Sequence, residues 1–270
     1  MEFQKFLEYD FWKNRSKLFR KRSAYRLKIM AGYYFKKSRK DPVFILTTRR
    51  TGSNMLVDCL NGVPEVSLKP EILNESMFYG LPGRFISKKA VFRHIVHSVY
   101  DCPRRIGGAK FLMVQMEKHR LSAADLKALF PSAKFLILYR RSIVEQFASL
   151  KIAETTGAWL WNDQFRLPES VHMDIAELQR FCGEIKYFYS KLFGEPWLKD
   201  CSRLISYEAL TADTQKVFDE VIFPFLGLPR VSVSSRTRKQ NIKPLEEIVA
   251  NYDEIRPLLA GGIMNQNYSL

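Results

Sequence analysis

Cysteine is scarce and unpatterned in this chain. Cys59, Cys102, Cys182 and Cys201 lie far apart, with no Cys-x-x-Cys pair and no histidine at metal-ligand spacing. That argues against a zinc site or a disulfide framework and for free thiols in a reducing compartment. Long apolar runs are missing as well: none approaches the roughly 18 residues that span a bilayer. The opening stretch MEFQKFLEYDFWKNR has no uninterrupted apolar core of the secretory kind. A soluble, cytoplasmic protein is therefore expected. Internal repeats and low-complexity tracts are absent. So is G-x-x-x-x-G-K-[ST], the loop that holds a nucleoside triphosphate and its magnesium, which counts against a kinase-like phosphotransferase.

What is present is length and charge. At 270 residues and 46% hydrophobic, the chain can bury one substantial core, so one main domain is expected. The net charge of +15 is unevenly spread: residues 1–40 hold 13 Lys/Arg against 3 Asp/Glu, most of the surplus. That arm also carries Phe3, Phe6, Phe11, Trp12, Phe19 and Tyr25 at spacings that suit basic amphipathic helices. Three readings follow: a helical hairpin packed on the main domain, a peripheral contact with an anionic membrane surface, or nucleic-acid binding. No nucleic-acid motif accompanies the charge, which counts against the last.

The arm ends at KKSRKDP (36–42), and residues 41–270 form the expected domain. Phe44–Leu46, the EVSLK of 65–75, AKFLMVQM (109–116), AKFLILYRR (133–141) and CSRLISYEAL (201–210) read as strands. Residues 75–105 show little pattern. SAADLKALFPS (with Ser122 as N-cap), SIVEQFASLKIAETTGAW (142–159), TADTQKVFDEVIFPFLGLP (211–229) and PLEEIVANYDEIRPLL (244–259) read as helices. Strands alternating with helices predict an α/β domain with a mainly parallel sheet. Its ligands should gather at the carboxyl ends of the strands.

The stretch FILTTRRTGSNMLVDCL (44–60) is strand, loop, helix, with one glycine. Unpaired N–H groups at a helix start, joined by Gly52, the hydroxyls of Thr51 and Ser53, and the arginines 49 and 50, supply the donors a phosphate needs. Without the magnesium-binding hydroxyl of the triphosphate loop, a metal-free, arginine-anchored site fits best. A second anion pocket is expected where a strand ends in Arg140-Arg141 and the next helix presents Ser149. A late basic cluster, SSRTRKQNIKP (234–244), is either a third contact or a solvated loop.

Taken together, Arg50-Thr51-Gly52-Ser53-Asn54, the pair Arg141 and Ser149 eight apart after LILYR, SYEAL with FLGLP, and RKQN before NYDE resemble the sulfotransferases. These use 3′-phosphoadenosine 5′-phosphosulfate (PAPS), and the similarity is greatest to the bacterial branch acting on carbohydrates and glycolipids. It covers about residues 42–258 and implies a P-loop-like fold. It implies that Arg50 holds the 5′-phosphosulfate and offsets charge on the leaving oxygen, and that Thr51, Gly52, Ser53 and Asn54 cradle that group. Arg141 and Ser149 are implied to take the 3′-phosphate, and Arg238 and Lys239 to close over it. Arg49 and Tyr207, from the same motifs, join the donor contacts. No metal is implied.

The resemblance also implies a base for the acceptor hydroxyl. One branch of the family carries a histidine two residues after a strand lysine. Here Lys110 matches that lysine, but the position two on is Leu112. In the carbohydrate and glycolipid branch a glutamate after the second strand serves, and Glu71 matches it. Glu75 is the alternative, His94, His97, His119 and His172 are weaker candidates, and Lys110 is a candidate transition-state contact. Trp159 and Trp161 suit either a sugar ring or ordinary packing. The competing reading from another class is a noncatalytic polyanion or membrane binder driven by charge.

Overall fold

In a computed structural model of the protein, the residues described are 40–75, 77, 80–81, 87–159, 166–237, 243–260 and 268. The expected arm (1–40) except for Lys40, together with Trp161, Arg238 and Lys239, lies outside them. Five strands form one sheet: β1 Asp41–Thr47, β2 Val66–Lys69, β3 Ile106–Leu112, β4 Lys134–Tyr139 and β5 Ser202–Ser206. All pairings are parallel, in the order β2-β3-β1-β4-β5. The chain leaves β1 through a phosphate-type loop into helix α1 (Ser53–Gly62), passes to the edge at β2, returns to β3, and crosses to β4 on the other side of β1. That is a P-loop-like sheet, and the change of direction around β1 opens a crevice at the strands' carboxyl ends.

The strands are apolar because both faces are covered. On one face Phe44, Leu46, Phe111, Phe135 and Ile137 pack under α2 (Lys88–Tyr100), α3 (Met113–Lys118), α4 (Ala123–Leu129), α5 (Ile143–Thr156) and α6 (Ile175–Phe193). On the other, Val43, Ile45, Leu136, Leu138 and Ile205 meet Leu56, Val57 and Leu60 of α1. After the four-residue α7 (Leu198–Cys201) and β5, the same face receives a helical series. It comprises α8 (Tyr207–Ala212), α9 (Thr214–Val217), a π turn (Phe218–Ile222) and α10 (Phe223–Leu226).

Several boundaries differ from expectation. The strand read at 109–116 begins earlier, at Ile106, and ends at Leu112, where α3 starts. Its opening Gly107-Gly108 looks strand-averse, yet a Cβ on Gly108 would lie 1.7 Å from the Val43 carbonyl oxygen, so only glycine lets β3 approach β1. The strand read at 201–210 stops at Ser206, whose hydroxyl caps α8 by accepting from Ala209 N–H. The helix of 211–229 is capped by Asp213 and closed by Gly227 at φ 67°, but contains the π turn immediately before Phe223-Pro224. The helix of 244–259 is two, α11 (Leu245–Ile248) and α12 (Tyr252–Ala260). Between them Val249 forms a parallel bridge with Val171, and the Asn251 amide bonds the Met173 N–H and C=O. The unpatterned 75–105 region contains α2, and α6, capped by Asp174, has no counterpart in the sequence reading.

Candidate active site

The loop after β1 is wound by two left-handed residues, Arg50 (φ 64°) and Gly52 (φ 77°). For a residue with a side chain that conformation costs about 1–2 kcal/mol, and such strain collects at functional sites. No side chain caps α1, whose first backbone bond runs from Leu56 N–H to the Gly52 carbonyl. The N–H groups before Leu56 are those a helix leaves unpaired for an anion. Gly52 is required here on a second count, since an added Cβ would sit 2.6 Å from the Tyr207 ring. Arg140, buried and paired with Glu145 at 2.6 Å, stacks on that ring 4.5 Å from its centroid. Tyr207 therefore walls the loop.

Other members of the motif hold the loop's shape. The Thr51 hydroxyl is fully buried, 2.6 Å from Thr47 Oγ1 and 3.1 Å from the Thr48 carbonyl. The Gln146 amide donates to Thr48 Oγ1 and to the Arg49 carbonyl, a bracing residue that the sequence reading missed. Ser53 is buried at the start of α1.

Arg50 reaches sideways, donating from Nε to Ser149 Oγ at 3.0 Å and from Nη1 to the Trp159 carbonyl at 2.9 Å. Burial, and then the neighbouring Arg140 charge, push its pKa down to about 10. A guanidinium penalised in this way gains from an anion beside it. Two predicted donor contacts, Arg50 and Ser149, are thus brought together. Arg141 lines a cavity of about 360 Å³ with Tyr139, Leu204, Ser206, Ala209 and Tyr268, and its backbone N–H donates to the Glu208 carboxylate. From the late basic cluster, Ser235 Oγ, Arg236 N–H and the Arg236 guanidinium all bond Asp58 of α1, fixing the chain just before residue 238 against the helix that begins at the loop.

On the other side of β1 lies a carboxylate–ammonium pair. Lys110, 1% exposed in the middle of β3, donates to Asn54 Oδ1 at 2.5 Å and to Glu71 Oε1 at 2.9 Å. Glu71 Oε2 accepts from Asn74 Nδ2 at 2.8 Å and Gln115 Nε2 at 2.9 Å. Burial alone would raise this carboxyl, but Lys110 and the three hydrogen bonds outweigh it and hold Glu71 below the ordinary carboxylate range. A group so held is ionised near neutrality, the form a proton acceptor needs, while the same contacts lower its basicity. Asn54 ties it to the anion loop. Glu75, by contrast, pairs with Lys118 at the surface. His94 is buried in α2 against the Ile72 carbonyl, and burial lowers His97 and His119. Asn74, Gln115 and Gln146 had no local signature that would have exposed them. Among the described residues, no group of His, Cys, Asp or Glu is arranged to hold a metal ion.

The chain matches the model of the sulfotransferase family over residues 42–232. It is 28% identical over 232 residues to nodulation protein H of Rhizobium meliloti, covering 82% of this chain and 92% of that protein. A second nodulation protein H, from strain 1021, is likewise 28% identical, over 234 residues. Two solved structures are similar. A sulfotransferase from Alicyclobacillus acidocaldarius has 17% identity and a TM-score of 0.49, over 83% of this chain and 93% of that one. The mouse sulfotransferase SULT7A1 complexed with PAP has 12% identity and a TM-score of 0.43, over 76% and 65% respectively.

Proposed function

The chain belongs to the sulfotransferase family, and from that premise we propose that it moves a sulfuryl group from PAPS to a hydroxyl of a carbohydrate or glycolipid, without a metal, using Glu71 as base. The observation that carries this reading is the contact chain Asn54–Lys110–Glu71, which sets a partly buried, ionised carboxylate beside the anion loop. The donor's 5′ end lies in the loop of Arg49 to Asn54, with Arg50 at its phosphosulfate. Its 3′-phosphate lies toward Arg141 and Ser149, with Tyr207 as a wall, and the resemblance assigns Arg238 and Lys239, outside the described residues, to the same phosphate.

In the transfer step the acceptor O–H proton passes to Glu71 as the acceptor oxygen bonds to sulfur. The bond from sulfur to the bridging oxygen breaks, and that oxygen leaves with the negative charge on 3′-phosphoadenosine 5′-phosphate (PAP). Arg50 and Lys110 are the cations placed to offset that charge, which is where fixed charge accelerates such reactions most. Support for a sugar-bearing acceptor comes from the glutamate in place of a histidine base. Trp159, 49% exposed, adds to it, since its carbonyl is held by Arg50. Incubation with sulfur-35-labelled PAPS and a panel of carbohydrates and glycolipids tests the proposal. Transfer should fall by about a hundredfold or more in Glu71→Gln, with PAP affinity retained. A Glu71→Gln rate within twofold of wild type would remove Glu71 from the mechanism.

A further inference from the structure

The three donors to Glu71 are unevenly shared between its oxygens. Lys110 Nζ takes Oε1, while Asn74 Nδ2 and Gln115 Nε2 both take Oε2. A carboxylate oxygen offers two lone-pair directions. Oε2 is therefore full, and Oε1 keeps one open. Gln115 receives nothing in return from the described residues, among which its own buried Oε1 has no hydrogen-bond partner. Flipping the amide would turn that oxygen against the carboxylate, so Glu71 dictates the orientation and the orphaned oxygen is its cost. A leucine at position 115 would carry no such orphan. A side chain that stability alone would not favour is best explained by the carboxylate it holds.

We propose that Gln115, backed by Asn74, is a positioning residue that locks Glu71 Oε2 and so presents Oε1, the oxygen shared with Lys110, to the acceptor's proton. The inference rests on the reading of Glu71 as base. Its chemical consequence is an exchange at one atom. As Oε1 gains the acceptor proton it loses its charge, and its hold on the Lys110 ammonium weakens. Lys110 already contacts Asn54 in the anion loop, so its N–H is freed toward the side where the leaving oxygen gains charge. Proton removal and charge neutralisation are thereby coupled through one lysine.

Gln115→Leu and Gln115→Lys separate this role from a structural one. The probe reaction is release of PAP from PAPS with water as acceptor, followed against pH, with unfolding midpoint and PAP affinity measured alongside. The charged group in contact with Glu71 is Lys110 from β3. Around it lie the Glu75–Lys118 pair, between the loop and α3, and His119, bonded to the Leu73 backbone; these are common to all variants. Gln115→Leu should unfold no earlier than wild type and bind PAP equally. It should react roughly tenfold slower, with its acid limb moved to higher pH because the ionised form has lost a donor. Gln115→Lys adds a cation at the same oxygen and should move that limb to lower pH. Wild-type rates and an unmoved limb in both variants, with Glu71→Gln slow, would overturn the positioning role alone. A fast Glu71→Gln would overturn the base and this inference together.

Discussion

Lys110 and Glu71 form a buried ion pair whose members cannot be removed singly without penalty. Breaking such a pair leaves an uncompensated charge, which typically costs about 3–5 kcal/mol. Glu71 is 13% exposed and Lys110 1%, so Lys110→Met should sit near the lower end, at about 3 kcal/mol, and Lys110→Met with Glu71→Gln should recover much of it. The pH dependence follows from the depressed carboxyl. Its stabilisation is present above the ordinary value of 4.5 and lost as pH falls through the lower folded value. The gap between wild type and Lys110→Met in urea unfolding should therefore narrow as pH drops below about 4.5, and a gap independent of pH would contradict the pairing. Single positions were legible where the chemistry is local. Arg50 to Asn54, Glu71, Arg141 and Tyr207 each lie just beyond a strand's carboxyl end, whereas Ser149, read from its spacing to Arg141, bonds Arg50 instead. Gln115 and Gln146 were not legible, because a glutamine that reaches a partner far along the chain leaves no mark on its own neighbourhood, and Asn74 was not because a loop amide three residues from Glu71 has no distinctive pattern.

Elements were legible where a short apolar run is bounded by polar or turn residues, as in β1 and β4, and at caps such as Ser122, which forms a full capping box with Asp125. They were misread where tertiary contact overrides propensity. Gly107 and Gly108 open β3 because neighbouring backbone fills the space a side chain would need, and Val249 leaves the helix to pair with Val171. Gly108→Ala tests the first. With a Cβ 1.7 Å from the Val43 carbonyl oxygen, β3 must separate from β1. A loss of about 3 kcal/mol or more in denaturant unfolding is expected, at the severe end for single substitutions, and a change below about 0.5 kcal/mol would show the strands are not so close. Since β3 carries Lys110 and β1 leads into the loop, the same variant should also weaken PAP binding.

At the scale of the molecule, the described chain enters β1 at one end and the anion loop leaves it at the other. The described chain reaches β1 at its amino end, where Lys40 bonds the Cys102 and Arg104 carbonyls, whereas Arg50, Glu71, Arg141 and Tyr207 follow the carboxyl ends of their strands. No helix among the described residues is long and apolar enough to cross a membrane. We propose that residues 1–39 serve attachment to an anionic surface and leave donor binding to the sheet. Removing them should abolish binding to vesicles containing anionic lipid, binding that in the full chain weakens steeply with salt, while the response to PAP stays intact. Unchanged vesicle binding would remove that role.

The central claim, a donor site built by arginines and a helix start without a metal, is tested most directly by thermal unfolding with PAP, with ATP plus magnesium, and with 5′-AMP, each with and without chelator. A ligand at about 100 times its dissociation constant adds roughly 2.7 kcal/mol, which raises the midpoint by about 5 °C or more in a domain of this size. The account predicts a chelator-insensitive rise with PAP that is lost in Arg50→Ala and Arg141→Ala. A rise with ATP and magnesium alone, abolished by chelator, would contradict it.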